Sequence, residues 1–214
     1  MPGIPDFVFE KSLLPSGCRY LLGIDEVGRG PWAGPVTVAG FVLDLNNFDQ
    51  DFFIKLKVRD SKTLNDYQRQ KIASKLQLQP FTIRILSASS EVIDQQGIGV
   101  TIENLMHRIL TDLDGQFDFA LIDGNLKIPH PRCLSVIDAD ARCFSVAAAS
   151  VCAKVARDKI MDDFDLLYPH YDFKNNKGYG TKKHQQGLND HGICPIHRLS
   201  YKPIKNFVKP FSQI

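Results

Sequence analysis

Apolar residues gather first at positions 20–25 (Tyr-Leu-Leu-Gly-Ile-Asp) and again at 35–43, two β-rich runs separated by a glycine-rich turn, which predicts an antiparallel pair. Residues 64–78 have helical character, with Asn65 or Thr63 as cap, and a strand is expected at 81–86. A second helix is predicted over 101–113, opened by Thr101 with Asn104 three places on. Residues 119–122 form a short apolar run closed by Asp123-Gly124-Asn125, and 134–137 is a further short strand. The strongest helix covers 145–167. Its first half is built of small residues (Ala147, Ala148, Ala149, Ser150, Cys152, Ala153), which suits close packing on a sheet, and its charges come later. After Tyr168-Pro169 the chain turns polar and basic, with a short helix expected over 181–190. The organisation expected is an α/β catalytic domain at 1–168 followed by a basic substrate-binding module at 169–214.

Composition narrows the class. A chain of 214 residues with 43% hydrophobic content suits one ordinary domain with a small appendage. No segment approaches the roughly 18 consecutive apolar residues of a membrane helix, and the start lacks the basic-then-apolar pattern of a leader. A soluble, cytoplasmic protein without membrane contact is therefore expected. Five widely spaced cysteines without a C-x-x-C pair argue against both a disulfide framework and a zinc site. The net charge of +2 hides an asymmetry: residues 174–214 hold eight Lys or Arg against the single acid Asp190, so residues 1–173 carry −5. Aromatic residues and histidines, among them Tyr179, His184, His191, His197 and Tyr201, are interleaved with those cations. Nucleic-acid grooves use this mixture for phosphate attraction and stacking. The histidine spacing closes no tetrahedron, which favours phosphate or surface roles for His184, His191 and His197.

Acids then stand out at the ends of apolar runs. Asp25 and Glu26 precede a Gly28-Arg29-Gly30 turn, Asp123 closes another run, and Asp138 or Asp140 follows a third. In a parallel or mixed sheet such positions converge where adjacent strands end. Carboxylates gathered there supply the hard oxygen ligands that Mg2+ requires. Each acid also has a plainer reading as a turn or helix cap. Alternation along a strand would send Asp25 and Glu26 to opposite faces unless the strand has ended before Glu26, and the turn at Gly28 makes such an early end reasonable.

The stretch Gly-Ile-Asp-Glu-Val-Gly-Arg-Gly-Pro-Trp-Ala-Gly-Pro-Val, residues 23–36, resembles the signature of the type 2 ribonucleases H, specifically bacterial ribonuclease HII. The likeness continues in order. Asp60-Ser61-Lys62-Thr63-Leu64 is similar to that family's Asp-Ser-Lys-x-Leu element, and residues 121–125 to its second acidic strand. Residues 148–158 resemble its small-residue helix. Asn176-Lys177-Gly178-Tyr179-Gly180-Thr181, with His184 and His197-Arg198, resembles its C-terminal module. Asp138 departs from the lysine often found there and is expected to face solvent, and Gly97 departs from an asparagine.

The resemblance implies a ribonuclease H-like mixed β-sheet flanked by helices, with a small helical C-terminal module. It implies an endoribonuclease acting on the RNA strand of RNA/DNA hybrids and on single ribonucleotides in duplex DNA, using two Mg2+ or Mn2+ ions. Catalytic and metal-binding roles fall to Asp25, Glu26, Asp123 and Asp140, the last chosen because it lies ten residues before Ser150. Substrate contacts fall to Gly28, Arg29, Gly30, Lys62 and Tyr179, with Tyr179 stacking at the RNA-to-DNA junction. A monomer is expected. The segment 207–211 is a weak candidate for docking to a replication clamp, packing onto its own domain being the favoured alternative. Two rivals stand beside this reading: a phosphatase or sugar transferase built on Asp138 and Asp140, and a hybrid-binding module without catalysis.

Overall fold

The computed structural model describes residue 5 and residues 7–58, 61–126 and 128–207. Asp60 and the clamp-docking candidate beyond Phe207 lie outside these. Among the described residues the strands β1 (Tyr20–Val27), β2 (Val36–Asp44), β3 (Thr82–Ala88), β4 (Phe119–Asp123) and β5 (Cys133–Val136) form one sheet in the order β3-β2-β1-β4-β5. β1 pairs antiparallel with β2 and parallel with β4, and β4 pairs parallel with β5. The sheet is therefore mixed, as expected. The helices are α1 (Phe7–Ser12), α2 (Gln50–Leu56), α3 (Asp66–Gln77), α4 (Ser90–Gln96), α5 (Ile98–Asp112), α6 (Ala139–Arg142), α7 (Phe144–Leu167), α8 (Phe173–Asn176), α9 (Lys182–His191) and α10 (Lys202–Lys205). No helix among the described residues is long and apolar enough to cross a membrane.

The chain divides into two compact units, one of residues 1–27, 37–86 and 103–155, the other of 28–36, 87–102 and 156–214. In the first, the small-residue start of α7 lies against β1. A Cβ built on Gly23 would fall 2.2 Å from the backbone carbonyl carbon of Ser145, so only glycine permits this approach. Leu21, Phe41, Phe53, Leu121, Phe144 and the alanines at 147–149 and 153 of α7 fill the core around that contact. The N-terminus of α7 is closed by a residue far away in sequence. The buried carboxylate of Glu10, on α1, accepts from the Phe144 and Ser145 amides at 2.9 and 3.0 Å.

The second unit has its own core of Met161, Tyr171, Phe173, Leu188, Ile196 and Ile204, with Trp32 packed against it. The segment 31–36 is held as an extra edge: Trp32 donates to Gly178 O at 2.8 Å, Gly34 to Ile196 O at 2.9 Å, and Arg198 N to Trp32 O at 2.8 Å.

Local details differ from expectation at the start of α5 and the end of β1. Thr101 does not open α5, because Gly97, with φ of 81°, ends α4 and lets α5 start at Ile98, while Thr101 Oγ1 donates back to Gly97 O. Of the two caps expected for α3, Asn65 is the one that serves, in a reciprocal pair with Gln68. β1 does not end before Glu26, since pairing with β2 runs on through Val27 opposite Thr37.

Candidate active site

The first unit gathers the predicted acids at the C-terminal ends of three adjacent parallel strands. Ile24 pairs with Ile122, so Asp25 and Asp123 are the next residues on β1 and β4. Asp123 pairs with Val136 on β5, and the chain then turns through Asp138 into α6, which carries Asp140. Asp25 is 4% exposed, and its Oδ1 accepts the Glu26 amide at 2.7 Å. Burial holds its carboxyl well above the ordinary range, with the charges of Asp123 and Glu26 pushing the same way; a hydrogen bond from Ser150 opposes them and Asp140 adds to the rise. Ser150, on α7, is buried and shares a 2.9 Å hydrogen bond with the buried Ser61 hydroxyl. β1 continues through Glu26, which is half-buried, and the Glu26 charge still reaches the Asp25 carboxyl.

Asp123 is raised too, first by burial and then by Asp140. Its Oδ1 accepts from the Ala139 amide at 2.7 Å and the Asp140 amide at 3.4 Å, so Asp123 is both a helix cap and a member of the acidic group. Asp140, itself buried, receives the exposed Lys62 ammonium at 3.0 Å. Asp138 is exposed with φ of 56°, as its departure from the pattern predicts, and makes no cap bond. One exposed and one buried aspartate do not make the paired site that the phosphatase reading requires.

No group of three or more His, Cys, Asp or Glu side chains among the described residues is arranged to hold a metal ion. The acids' oxygens are instead engaged by Glu26 N, Ala139 N, Asp140 N, Lys62 and Ser150. The donor set still fits a hard divalent cation, since every acid here offers only oxygen and the neighbouring negative charges raise the Asp25 and Asp123 carboxyls, which a cation would relieve.

In the second unit the structure brings together the predicted reading residues. Gly28, with φ of 97°, has no room for a side chain: a Cβ would fall 2.3 Å from Arg157 Nε. Arg29 and Gly30 are exposed, and a Cβ on Gly30 would meet the ring of Tyr179 at 3.6 Å. Tyr179 is 49% exposed although its neighbours are pinned, Gly178 against Ala33 O and Gly180 against the Trp32 ring.

Sequence reasoning missed what holds the turn. Arg198 is fully buried, and its guanidinium donates to the carbonyls of Gly28, Arg29, Gly34 and Pro35 at 2.6, 3.1, 3.0 and 3.1 Å. Tyr201 donates to Arg29 O as well, at 2.6 Å. Arg157, also buried, holds Pro35 O, Ala33 O and Lys177 O, and burial lowers its pKa to about 10. The expectation that the cations of residues 174–214 face phosphate is corrected for Arg198. The same correction applies to His184 and His197, which are buried and bonded to each other. The sequence offers one clue to Arg198, its place directly after His197 in the family-like element.

The family profile described as ribonuclease HII matches residues 22–204. The ribonuclease HII of Listeria innocua is 43% identical over 198 residues, covering 92% of this chain and 73% of that protein. Among solved structures, the ribonuclease HII in the PCNA complex from Archaeoglobus fulgidus superposes with a TM-score of 0.72 at 25% identity, covering 85% of this chain and 95% of that one. Bst-RNase HIII, solved in complex with Mn2+, matches the fold at a TM-score of 0.68 and 20% identity, over 87% of this chain and 68% of that one. The profile match and the Listeria relative, both spanning most of the sequence, show that the chain belongs to the ribonuclease HII family, and so is a ribonuclease H-type endonuclease.

Proposed function

We propose that the chain hydrolyses the RNA strand of RNA/DNA hybrids and cuts on the 5′ side of single ribonucleotides embedded in duplex DNA, leaving 3′-hydroxyl and 5′-phosphate ends. The observation that carries the chemistry is Asp25, a carboxylate buried among like charges at the ends of adjacent strands. Asp25, Glu26, Asp123 and Asp140 are the proposed holders of two Mg2+ or Mn2+ ions. Such ions, when bound, supply an activated water and neutralise charge on the leaving 3′-oxygen. Ser150 and the Glu26 amide orient the Asp25 carboxylate, the Ala139 amide orients that of Asp123, and Lys62, exposed and bonded to Asp140, is the proposed phosphate contact.

Selectivity for RNA requires a sensor of the 2′-hydroxyl, which both donates and accepts. The Gly28-Arg29-Gly30 turn is the proposed sensor, its carbonyls fixed by Arg198 and Tyr201. The half-exposed Tyr179 ring is the proposed stacking surface at the step from ribose to deoxyribose. Residues 169–214 are read as the basic module that holds the duplex.

The test is incubation of the intact chain and of Asp25→Asn with duplex DNA carrying one ribonucleotide, with Mg2+ or Mn2+. Cleavage is expected 5′ of the ribonucleotide, falling at least about a hundredfold in the variant. No cleavage by the intact chain, or equal cleavage by both, refutes the reading.

A further inference from the structure

The buried histidines form a chain whose proton positions can be assigned by elimination. The amide N–H of Cys194 lies 2.8 Å from Nδ1 of His197 and can only donate, so that nitrogen carries no proton. The Cys194 carbonyl, 3.1 Å from the same nitrogen, could bond only a protonated Nδ1, which the shorter contact of the donating amide rules out. The thiol of Cys194, also 3.1 Å from Nδ1, is a second group able to donate to it. The single proton of His197 is therefore on Nε2, which lies 2.9 Å from Nε2 of His184. That atom must accept, which leaves the proton of His184 on Nδ1, 3.0 Å from the carbonyl oxygen of Tyr179. The bonds run in one direction, from Cys194 N–H through His197 and His184 to Tyr179 O.

Nothing in this arrangement needs either imidazole to touch a substrate. Both are buried, and they are walled by Tyr171, Phe173 and Trp32. The titratable groups facing them from the packed elements are Cys194 and Tyr171, whose hydroxyl is occupied by Gly192 O. The end of the chain of bonds is what distinguishes it. Tyr179 O also accepts the Thr181 amide at 2.8 Å, so its peptide is fixed from two directions while its ring stands in solvent. An exposed ring keeps a fixed position only if its backbone does, because solvent offers no packing to hold it.

We infer that His184 and His197 are positioning residues for junction recognition, setting the Tyr179 peptide so that its ring stands beside Gly30 of the turn proposed to sense ribose. The inference rests on the proposed role of Tyr179. His184 Nδ1–H holds the carbonyl, and His197 fixes which nitrogen of His184 bears the proton. A ring-shaped apolar replacement keeps the volume and loses the bond.

Two measurements on the full chain test this. Long-range 1H–15N spectra at neutral pH are expected to show His197 as the Nε2–H tautomer and His184 as Nδ1–H; the opposite tautomer at either, or a charged ring, overturns the assignment and the inference with it. Cleavage rates are then compared on duplex DNA with one embedded ribonucleotide and on a uniform RNA/DNA hybrid, for the intact chain, His184→Phe, His184→Gln and Tyr179→Ala. The ratio of the two rates is expected to fall about tenfold in Tyr179→Ala and several-fold in His184→Phe. His184→Gln, whose amide still donates, should recover part of it. A ratio lost in Tyr179→Ala but kept in His184→Phe overturns the positioning role and leaves the reading of Tyr179 standing. A ratio unchanged in Tyr179→Ala overturns both.

Discussion

Burial acts on Asp25 and His197 in the same sense: each is taken out of water, and each is driven toward its neutral form. For Asp25 that means a carboxyl held well above its ordinary range. For His197 it means a pKa lowered to about 4, with the nearby His184 adding to the fall and the Cys194 carbonyl, which favours the charged ring, opposing it. The second shift has a sign that can be followed in stability. Between the ordinary value of 6.5 and about 4, the unfolded chain binds a proton at residue 197 that the folded chain refuses. The contribution is thus fully present above pH 6.5 and is lost as pH falls through the window, on the order of 3 kcal/mol in all. Denaturant titrations at pH 7 and pH 4.5 should show His197→Phe losing less stability on acidification than the intact chain, by about 2 kcal/mol. Equal losses count against the assignment. From sequence alone the imidazoles read as surface or phosphate groups, because no local period announces their burial. What covers them, Tyr171 and Phe173, lies 11 or more residues from either.

Helix α7 was the most legible element, and the features that fix its place were the least. Its run of small residues is visible in any reading of positions 147–153, and it lies on β1 as that run predicts. Its capping group is Glu10 on α1, a helix of six residues, too short to leave a 3.6-residue period in the sequence. The short helices α2 and α4 were missed for the same reason, although each has a side-chain cap, Asp49 and Ser89. Glu10 is fully buried, and burial raises its pKa against the pull of Ser145 and Phe144. Glu10→Ala removes the acceptor from two amides at the start of α7, leaving them buried and unpaired. A loss of about 2–3 kcal/mol is expected in chemical denaturation. Since Ser150 on the same helix bonds Asp25, nuclease activity should fall further than the loss of folded protein alone accounts for, when both are measured on one preparation.

Charge at the scale of the molecule was the easiest property to count and the easiest to over-read. Residues 174–214 hold eight cations, but the structure removes some of them from any phosphate. Arg198 is buried against backbone carbonyls, and Lys177 is partly buried in a pair with Asp162. Lys174, Lys182, Lys183, Lys202 and Lys205 are exposed, Lys183 with only a 3.7 Å contact to Asp172. Each phosphate neutralised by a cation on duplex DNA contributes about −0.9 to the slope of log affinity against log salt. If these five lysines all meet phosphate, their share of the slope is about −4 to −5, short of the roughly −7 that all eight cations would produce. Substitutions separate the two cases. Binding of ribonucleotide-containing duplex to the Asp25→Asn background, measured from low to moderate salt, should lose about one unit of slope in Lys182→Gln and in Lys202→Gln. Lys177→Gln should leave the slope unchanged whatever it does to stability, because its ammonium is already neutralised by Asp162. A unit lost in Lys177→Gln, or none lost in the two exposed variants, contradicts this division of the basic segment into structural and phosphate-facing cations.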